Sequence, residues 1–187
     1  KDYIIIIGGR LPLYLTGKPF DNLEGGKSDS DFRKMKLKNE GAVLQDEIIK
    51  PIIELAKKNK VIILYPIPEL GWDIKKKILN KTNKIVTNIN KDFVKNFPII
   101  TTSNDVFIER NKESYKILDS ISHENVLKVY PHKFFCDNQI KNRCVANDKK
   151  DLFYFDSHHL SDRGVEIVVE MILLEIKKLN KNMYLTN

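Results

Sequence analysis

The run LQDEIIKPIIELAKKNKVIILYPIP, Leu44 to Pro68, changes its hydrophobic period halfway along. In its first part Ile48, Ile49, Ile52, Ile53 and Leu55 recur at the spacing that lays side chains along one stripe of a helix. Lysines gather at the end of that stripe, where a helix dipole favours positive charge. Pro51 falls inside the stripe and predicts a kink or a helix restart, because it brings no N–H to the ladder. From Val61 the pattern becomes an unbroken aliphatic run closed by prolines. That is the signature of a short strand buried on both faces, as in parallel sheets covered by helices.

The same alternation runs outward in both directions. YIIIIGG (Tyr3–Gly9), NVLKVYP (Asn125–Pro131) and LFYF (Leu152–Phe155) are short, β-branched or aromatic, and closed by Gly, Pro or Asp, so they read as strands. The first of them, like Val61–Pro68, reads as buried on both faces. SNDVFIERNKESYKILDSIS (Ser103–Ser122) reads as a helix with Val106, Phe107, Tyr115, Ile117 and Leu118 inward. VEIVVEMILLEIKKL (Val165–Leu179) reads as another, capped by Ser161 or Asp162 and apolar enough to require a sheet beneath it. Strands alternating with helices, without hairpin signals, predict an α/β fold: a three-layer α/β/α sandwich around a parallel sheet. The polar stretch from Thr16 to Lys38, with Gly25-Gly26 inside it, has little periodicity and reads as a long functional or mobile loop.

At 187 residues the chain, 1–187, is expected to be one domain with a real core. Its apolar runs are too short to span a bilayer. The net charge of +7 comes from lysines spread over the whole sequence. There is no arginine cluster and no alternation of aromatic and basic residues, so no nucleic-acid partner is expected. The sequence opens KDYIIII, already inside a strand pattern, and reads as a piece of something longer, incomplete at its N-terminus.

The chemistry concentrates in DLFYFDSHHLSDRGVEIVV, Asp151–Val169. Its polar residues sit between a strand-like run and a helix, where ligands meet parallel sheets. Asp156 and His159 are three apart, a spacing that on a tight turn lets the carboxylate accept the imidazole Nδ1–H and leaves Nε2 outward as a general base. The alternative is a surface turn histidine beside a capping aspartate. A metal site is not expected: adjacent His158 and His159 should point apart, and His132 and Cys136 have no partner at ligand spacing. No cofactor is expected.

Asp156-x-x-His159, followed by Leu160-Ser161 and Gly164, resembles the last motif block of SGNH hydrolases. YFDSHHLSDRG is more closely similar to the YYDxxHLSxxG ending of SGNH domains fused behind acyltransferase-3 membrane domains. DYIIIIGGRLPLYLTG resembles that group's strand followed by Arg, and VIILYPIPELGWD its strand-x-P-x-P-E segment. Cys136 and Cys144 stand where that group carries a cysteine pair. The resemblance extends over nearly the whole chain from Asp2.

It implies an acyl-serine mechanism with Asp156 and His159 as two of the three triad members, in an acyltransferase that O-acetylates a cell-envelope polysaccharide. The implied partners are a glycan acceptor and an acyl donor delivered by a fused transmembrane domain. The implied location is periplasmic, on the outer face of the cytoplasmic membrane. A stand-alone carbohydrate esterase and a non-catalytic glycan-binding remnant are the alternatives. The family's nucleophilic serine belongs to a GDS block upstream of everything present here, so the nucleophile is expected outside this chain and the fragment alone should be weakly active or inactive. Ser157 occupies a variable position of the terminal block; Ser28 and Ser30 lie in the polar loop with no strand before them. Gly9 and Arg10 fall where the family builds its oxyanion hole, Arg10 at the usual Asn position. An Arg there donates to a developing oxyanion or forms a salt bridge to a loop carboxylate. The implied compartment permits a Cys136–Cys144 disulfide, two separate buried thiols being the alternative.

Overall fold

The computed structural model describes residues 3–28, 43–82 and 95–184. Its centre is a parallel sheet of β1 (Ile4–Ile7), β2 (Lys60–Leu64) and β4 (Val126–Val129), in the order β1-β2-β4. Ile6 lies opposite Ile62, and Ile62 opposite Leu127. The helix–strand unit at 44–68 is as its periods indicate. Helix α2 (Leu44–Ala56) turns Ile52 and Ala56 inward, and β2 is the middle strand with Val61, Ile62 and Ile63 all buried. Pro51 lies within α2 without ending it. Leu55, expected in the stripe, is instead 39% exposed, since at the helix end it faces away from the sheet.

Two layers of apolar side chains follow from the strand pleat. On one face Val61, Ile63 and Tyr65 pack with Ile52 and Ala56 of α2, and with Leu118 near the end of α4 (Asn104–Asp119). Ser103 caps α4, its hydroxyl accepting the N–H of Val106. On the other face Ile62 and Val129 share a core with Phe107 of α4 and with three further helical elements. These are α3 (Ile74–Thr82), the short α5 (His132–Phe135) and the long α6 (Asp162–Tyr184). The architecture is therefore an α/β sandwich with a parallel sheet between helices.

The structure corrects the sequence reading in three places. β1 is buried on one face only: Ile5 and Ile7 join the α2 side, while Ile4 and Ile6 are 49% and 51% exposed. It is an edge strand of the described sheet, and nothing among the described residues covers the Ile4–Ile6 side. Leu152–Phe155 is not a strand of the sheet. Leu152 and Tyr154 make single bridges to Asn147 and Leu160, because the chain turns back on itself too soon to extend a ladder. An antiparallel pair was also not foreseen: β3 (Thr101–Ser103) with β5 (Arg143–Val145), each only three residues long.

Helix α1 (Leu11–Thr16) follows β1 and ends at Gly17, whose φ of 67° closes the helix in a left-handed cap. Of the polar stretch from Thr16 to Lys38, residues 17–28 fold as an irregular loop, and Ser30 lies outside the described residues. Buried Asn22 organises that loop. Its side-chain oxygen accepts the N–H groups of Glu24 and Gly26, and its amide donates to the carbonyl of Leu70. Among the described residues no helix is long and apolar enough to cross a membrane.

Candidate active site

Residues 153–161 close a turn against the mouth of the sheet. Phe155 N–H donates to the carbonyl of His159 (2.8 Å), and Ser161 N–H to that of Phe153 (3.0 Å). The Ser161 hydroxyl then caps α6 by accepting Gly164 N–H. Gly164 has to be glycine: a Cβ there would stand 2.1 Å from the Phe153 carbonyl oxygen. The turn is tied to the loop after β2, where the N–H groups of Leu70 and Gly71 both donate to the Ser157 carbonyl (2.9 and 3.1 Å).

Asp156 and His159 form a hydrogen-bonded pair. Asp156 Oδ1 accepts the backbone N–H groups of His158 (2.9 Å) and His159 (2.8 Å), an aspartate turn that fixes the carboxylate. Its Oδ2 stands 2.7 Å from His159 Nδ1. Partial burial works to raise the Asp156 carboxyl, but the His158 N–H, the His159 ring and the His159 N–H together outweigh it and bring the carboxyl down to about 2. An ionised carboxylate only accepts, so His159 donates from Nδ1, and Nε2 is the ring nitrogen left for a substrate. The His159 side chain is 67% exposed, open to an approaching hydroxyl.

His158 is its opposite. Its side chain is 8% exposed, and Nδ1 is 2.9 Å from Ser157 Oγ. Burial, then the positive charge of Arg10, then His159 all push the His158 imidazole below its ordinary value. It is therefore neutral near pH 7. The two rings lie 3.9 Å apart between centroids. They do not point apart, as expected from their adjacency: ligand atoms of Asp156, His158 and His159 lie within 4.8 Å of one another. A cation there would compete with the Asp156–His159 hydrogen bond for the same carboxylate, whose two oxygens already accept three N–H groups. Ser157 is buried, and its hydroxyl is engaged by the ring of His158, its neighbour, and not by His159.

Arg10 makes a salt bridge, one of its two readings and compatible with the other. Its guanidinium is ion-paired to Glu69 Oε1, and Glu69 is a buried carboxylate, 7% exposed. Gly9 lines an apolar cavity of about 210 Å³ at the ends of β1 and β2, with Leu11, Tyr14, Leu64 and Pro66. A larger cavity, about 690 Å³, lies between α4 and α5 around Asn111, Tyr115 and His132, and contains neither Asp156 nor His159. Cys136 and Cys144 are joined in a disulfide that ties the end of α5 to β5.

Sequence reasoning assigned no role to Glu69, His158 or Asn22. Glu69 had a signal in the two prolines before it, Pro66 and Pro68, since a carboxylate that follows so stiff a segment is held in place by its backbone. The roles of the other two depend on burial, which no local pattern announces.

Residues 2–173 match the family model described as SGNH domain (fused to AT3 domains). No curated protein and no solved structure matches the chain.

Proposed function

Because the chain belongs to the SGNH domains that are fused to AT3 domains, an acyltransferase- and esterase-type family, we propose that it transfers an acyl group, acetyl in the first instance, onto a hydroxyl of a cell-envelope polysaccharide. The observation that carries this is the Asp156–His159 pair, with 2.7 Å between Oδ2 and Nδ1 and the ring exposed. In this reading a serine hydroxyl attacks the acyl carbonyl and gives its proton to His159 Nε2. Asp156 holds the tautomer and stabilises the imidazolium, which returns the proton to the leaving group. A sugar hydroxyl then attacks the acyl-serine, loses its proton to His159, and the serine is regenerated. In this reading Arg10, with Gly9 beside it, donates to the developing oxyanion.

The nucleophile of this reading is a serine of the parent protein outside this chain. Two observations support that. The Ser157 hydroxyl is buried against His158. Ile4 and Ile6 on β1, and Val165, Val169 and Leu173 along α6, are 45–51% exposed, apolar side chains that further segments would cover. The AT3 domain of the parent would supply the acyl group through the membrane, with this domain on the periplasmic side.

The test uses the full-length protein with an acyl donor and polysaccharide. Transfer to the glycan, an acyl-serine trapped by mass spectrometry, and loss of both in His159→Ala are expected, with Ser157→Ala nearly unaffected. Release of free acid without transfer would make it an esterase. Binding of glycan with no acyl chemistry would leave a glycan-binding module.

A further inference from the structure

We infer that Glu69 is a positioning residue of this site, holding the Arg10 guanidinium in register with the turn that carries Asp156 and His159. The inference rests on the acyl-transfer reading for its catalytic consequence, but its geometry stands independently. The backbone on both sides of Glu69 is fastened to that turn. The Pro68 carbonyl accepts the hydroxyl of buried Tyr154 (2.7 Å), and the Leu70 and Gly71 N–H groups donate to Ser157. Residues 154 and 157 bracket Asp156. The Leu70 carbonyl is held in turn by Asn22 (3.0 Å). Glu69 thus has a fixed backbone on the dyad side, and its side chain reaches to Arg10, which follows β1. Through this one residue the ends of β1 and β2 are referred to the Asp156–His159 turn.

Stability is a weak reason for such a pair. Burying a carboxylate beside a guanidinium loses about as much in desolvation as the attraction returns. The surroundings also make the carboxylate's charge matter. Arg110 of α4, anchored through Nη1 to Thr16 Oγ1 (2.9 Å) and through Nη2 to the Lys18 carbonyl (2.6 Å), lies within electrostatic reach of both Glu69 and Arg10. The Glu69 carboxylate thus bonds one guanidinium and attracts a second. Without its charge the two guanidiniums repel each other, and since Arg110 is bonded to Thr16 and Lys18 while the Glu69 carboxylate is what Arg10 loses, Arg10 shifts. Arg10 and Glu69 also act on buried His158 in opposite senses, Arg10 disfavouring its protonation and Glu69 favouring it. Lysine would not replace Arg10, since it lacks the planar fork that meets a carboxylate on one side and a substrate oxygen on the other.

The experiment compares Glu69→Gln, Arg10→Ala and the double variant in the full-length protein, with folding checked by thermal unfolding. Glu69→Gln should lower kcat roughly 10- to 100-fold with little change in KM, a fraction of what losing an oxyanion donor itself costs. Millimolar guanidinium ion should restore activity to Arg10→Ala and fail to do so in Arg10→Ala/Glu69→Gln, because the carboxylate is what seats it. A Glu69→Gln variant with wild-type kcat, or equal rescue of the single and double variants, overturns the inference. A second readout needs no activity. In this 187-residue chain the His158 titration midpoint, followed by NMR, should rise in Glu69→Gln, because losing Arg10 from beside the ring outweighs losing the Glu69 charge. A midpoint that stays put or falls, as loss of the carboxylate charge alone would make it, means that Arg10 holds its place without Glu69 and overturns the inference. A full-length protein with no acyl chemistry at all would sink the functional reading, while the His158 midpoint would still decide whether Glu69 holds Arg10 beside the turn.

Discussion

Replacing Gly164 with alanine places one methyl group where the first turn of α6 touches the Asp156–His159 turn. The new Cβ would lie 2.1 Å from the Phe153 carbonyl oxygen, where ordinary contact begins near 3.4 Å. Backbone must therefore retreat by about 1 Å, and the atom in the way is a carbonyl, not a flexible side chain. That carbonyl accepts Ser161 N–H (3.0 Å), and the Ser161 hydroxyl bonds both the Leu152 carbonyl (2.5 Å) and Gly164 N–H (3.2 Å). Weakening two or three such bonds costs about 1 kcal/mol each, or roughly 3 kcal/mol. Alanine's higher helix propensity returns up to about 1 kcal/mol, so a net loss of roughly 2 kcal/mol is expected, within the usual range for overpacking. Urea unfolding followed by circular dichroism should show a lower midpoint with an unchanged slope, and thermal unfolding a drop of about 4–8 °C. A Gly164→Ala protein within about 0.5 kcal/mol of wild type, the scatter of ordinary surface substitutions, would refute the close approach of α6 to the turn.

Two further outcomes follow from the same region and from the staple beside it. His158 is held below its ordinary 6.5 by burial, so the unfolded chain binds more protons than the folded one on the acid side of that value. Stability is then full above about pH 6.5 and declines as the pH falls through the lowered folded-state value. Urea midpoints measured from pH 7.5 to 5 should fall in wild type and fall less in His158→Asn, whereas parallel curves would show that His158 is not buried neutral. The Cys136–Cys144 bond closes a loop with a sequence separation of 8. Replacing both cysteines with serine should lower unfolding free energy by about 2.5 kcal/mol on the chain-entropy model, and an unchanged urea midpoint would contradict a structural role.

How far the sequence reveals the molecule depends on what kind of signal each part leaves. Helix α2 and strand β2 are legible because a change of hydrophobic period is local, and burial at Ile52 and Val61–Ile63 follows it. β1 misleads because four consecutive isoleucines read as doubly buried, yet which face of an edge strand is covered depends on elements distant in sequence. LFYF carries strand-like residues, but Phe153 and Tyr154 are both buried side by side, which a regular strand with one open face does not allow. The three-residue pair β3–β5 has no period to detect. At the site, the Asp156–His159 contact is legible because both partners lie in one turn, and three-residue spacing nearly determines it. The Arg10–Glu69 pair spans 59 residues and is brought together only by the pairing of β1 with β2. The adjacent histidines mislead for a related reason: alternation predicts divergence in a strand, whereas in this turn the rings lie side by side, 3.9 Å apart and tilted by 43°.

The most direct measurement is a double-variant cycle on Asp156 and His159 in the full-length protein, read as acyl transfer to polysaccharide or as ester hydrolysis. Asp156→Asn and His159→Ala should each lower kcat by roughly 10³- to 10⁴-fold, and the double variant should be no slower than the worse single variant, as expected of residues that act as one unit. Activity that survives either substitution, or two modest losses that multiply in the double variant, would contradict a general base made of His159 and oriented by Asp156.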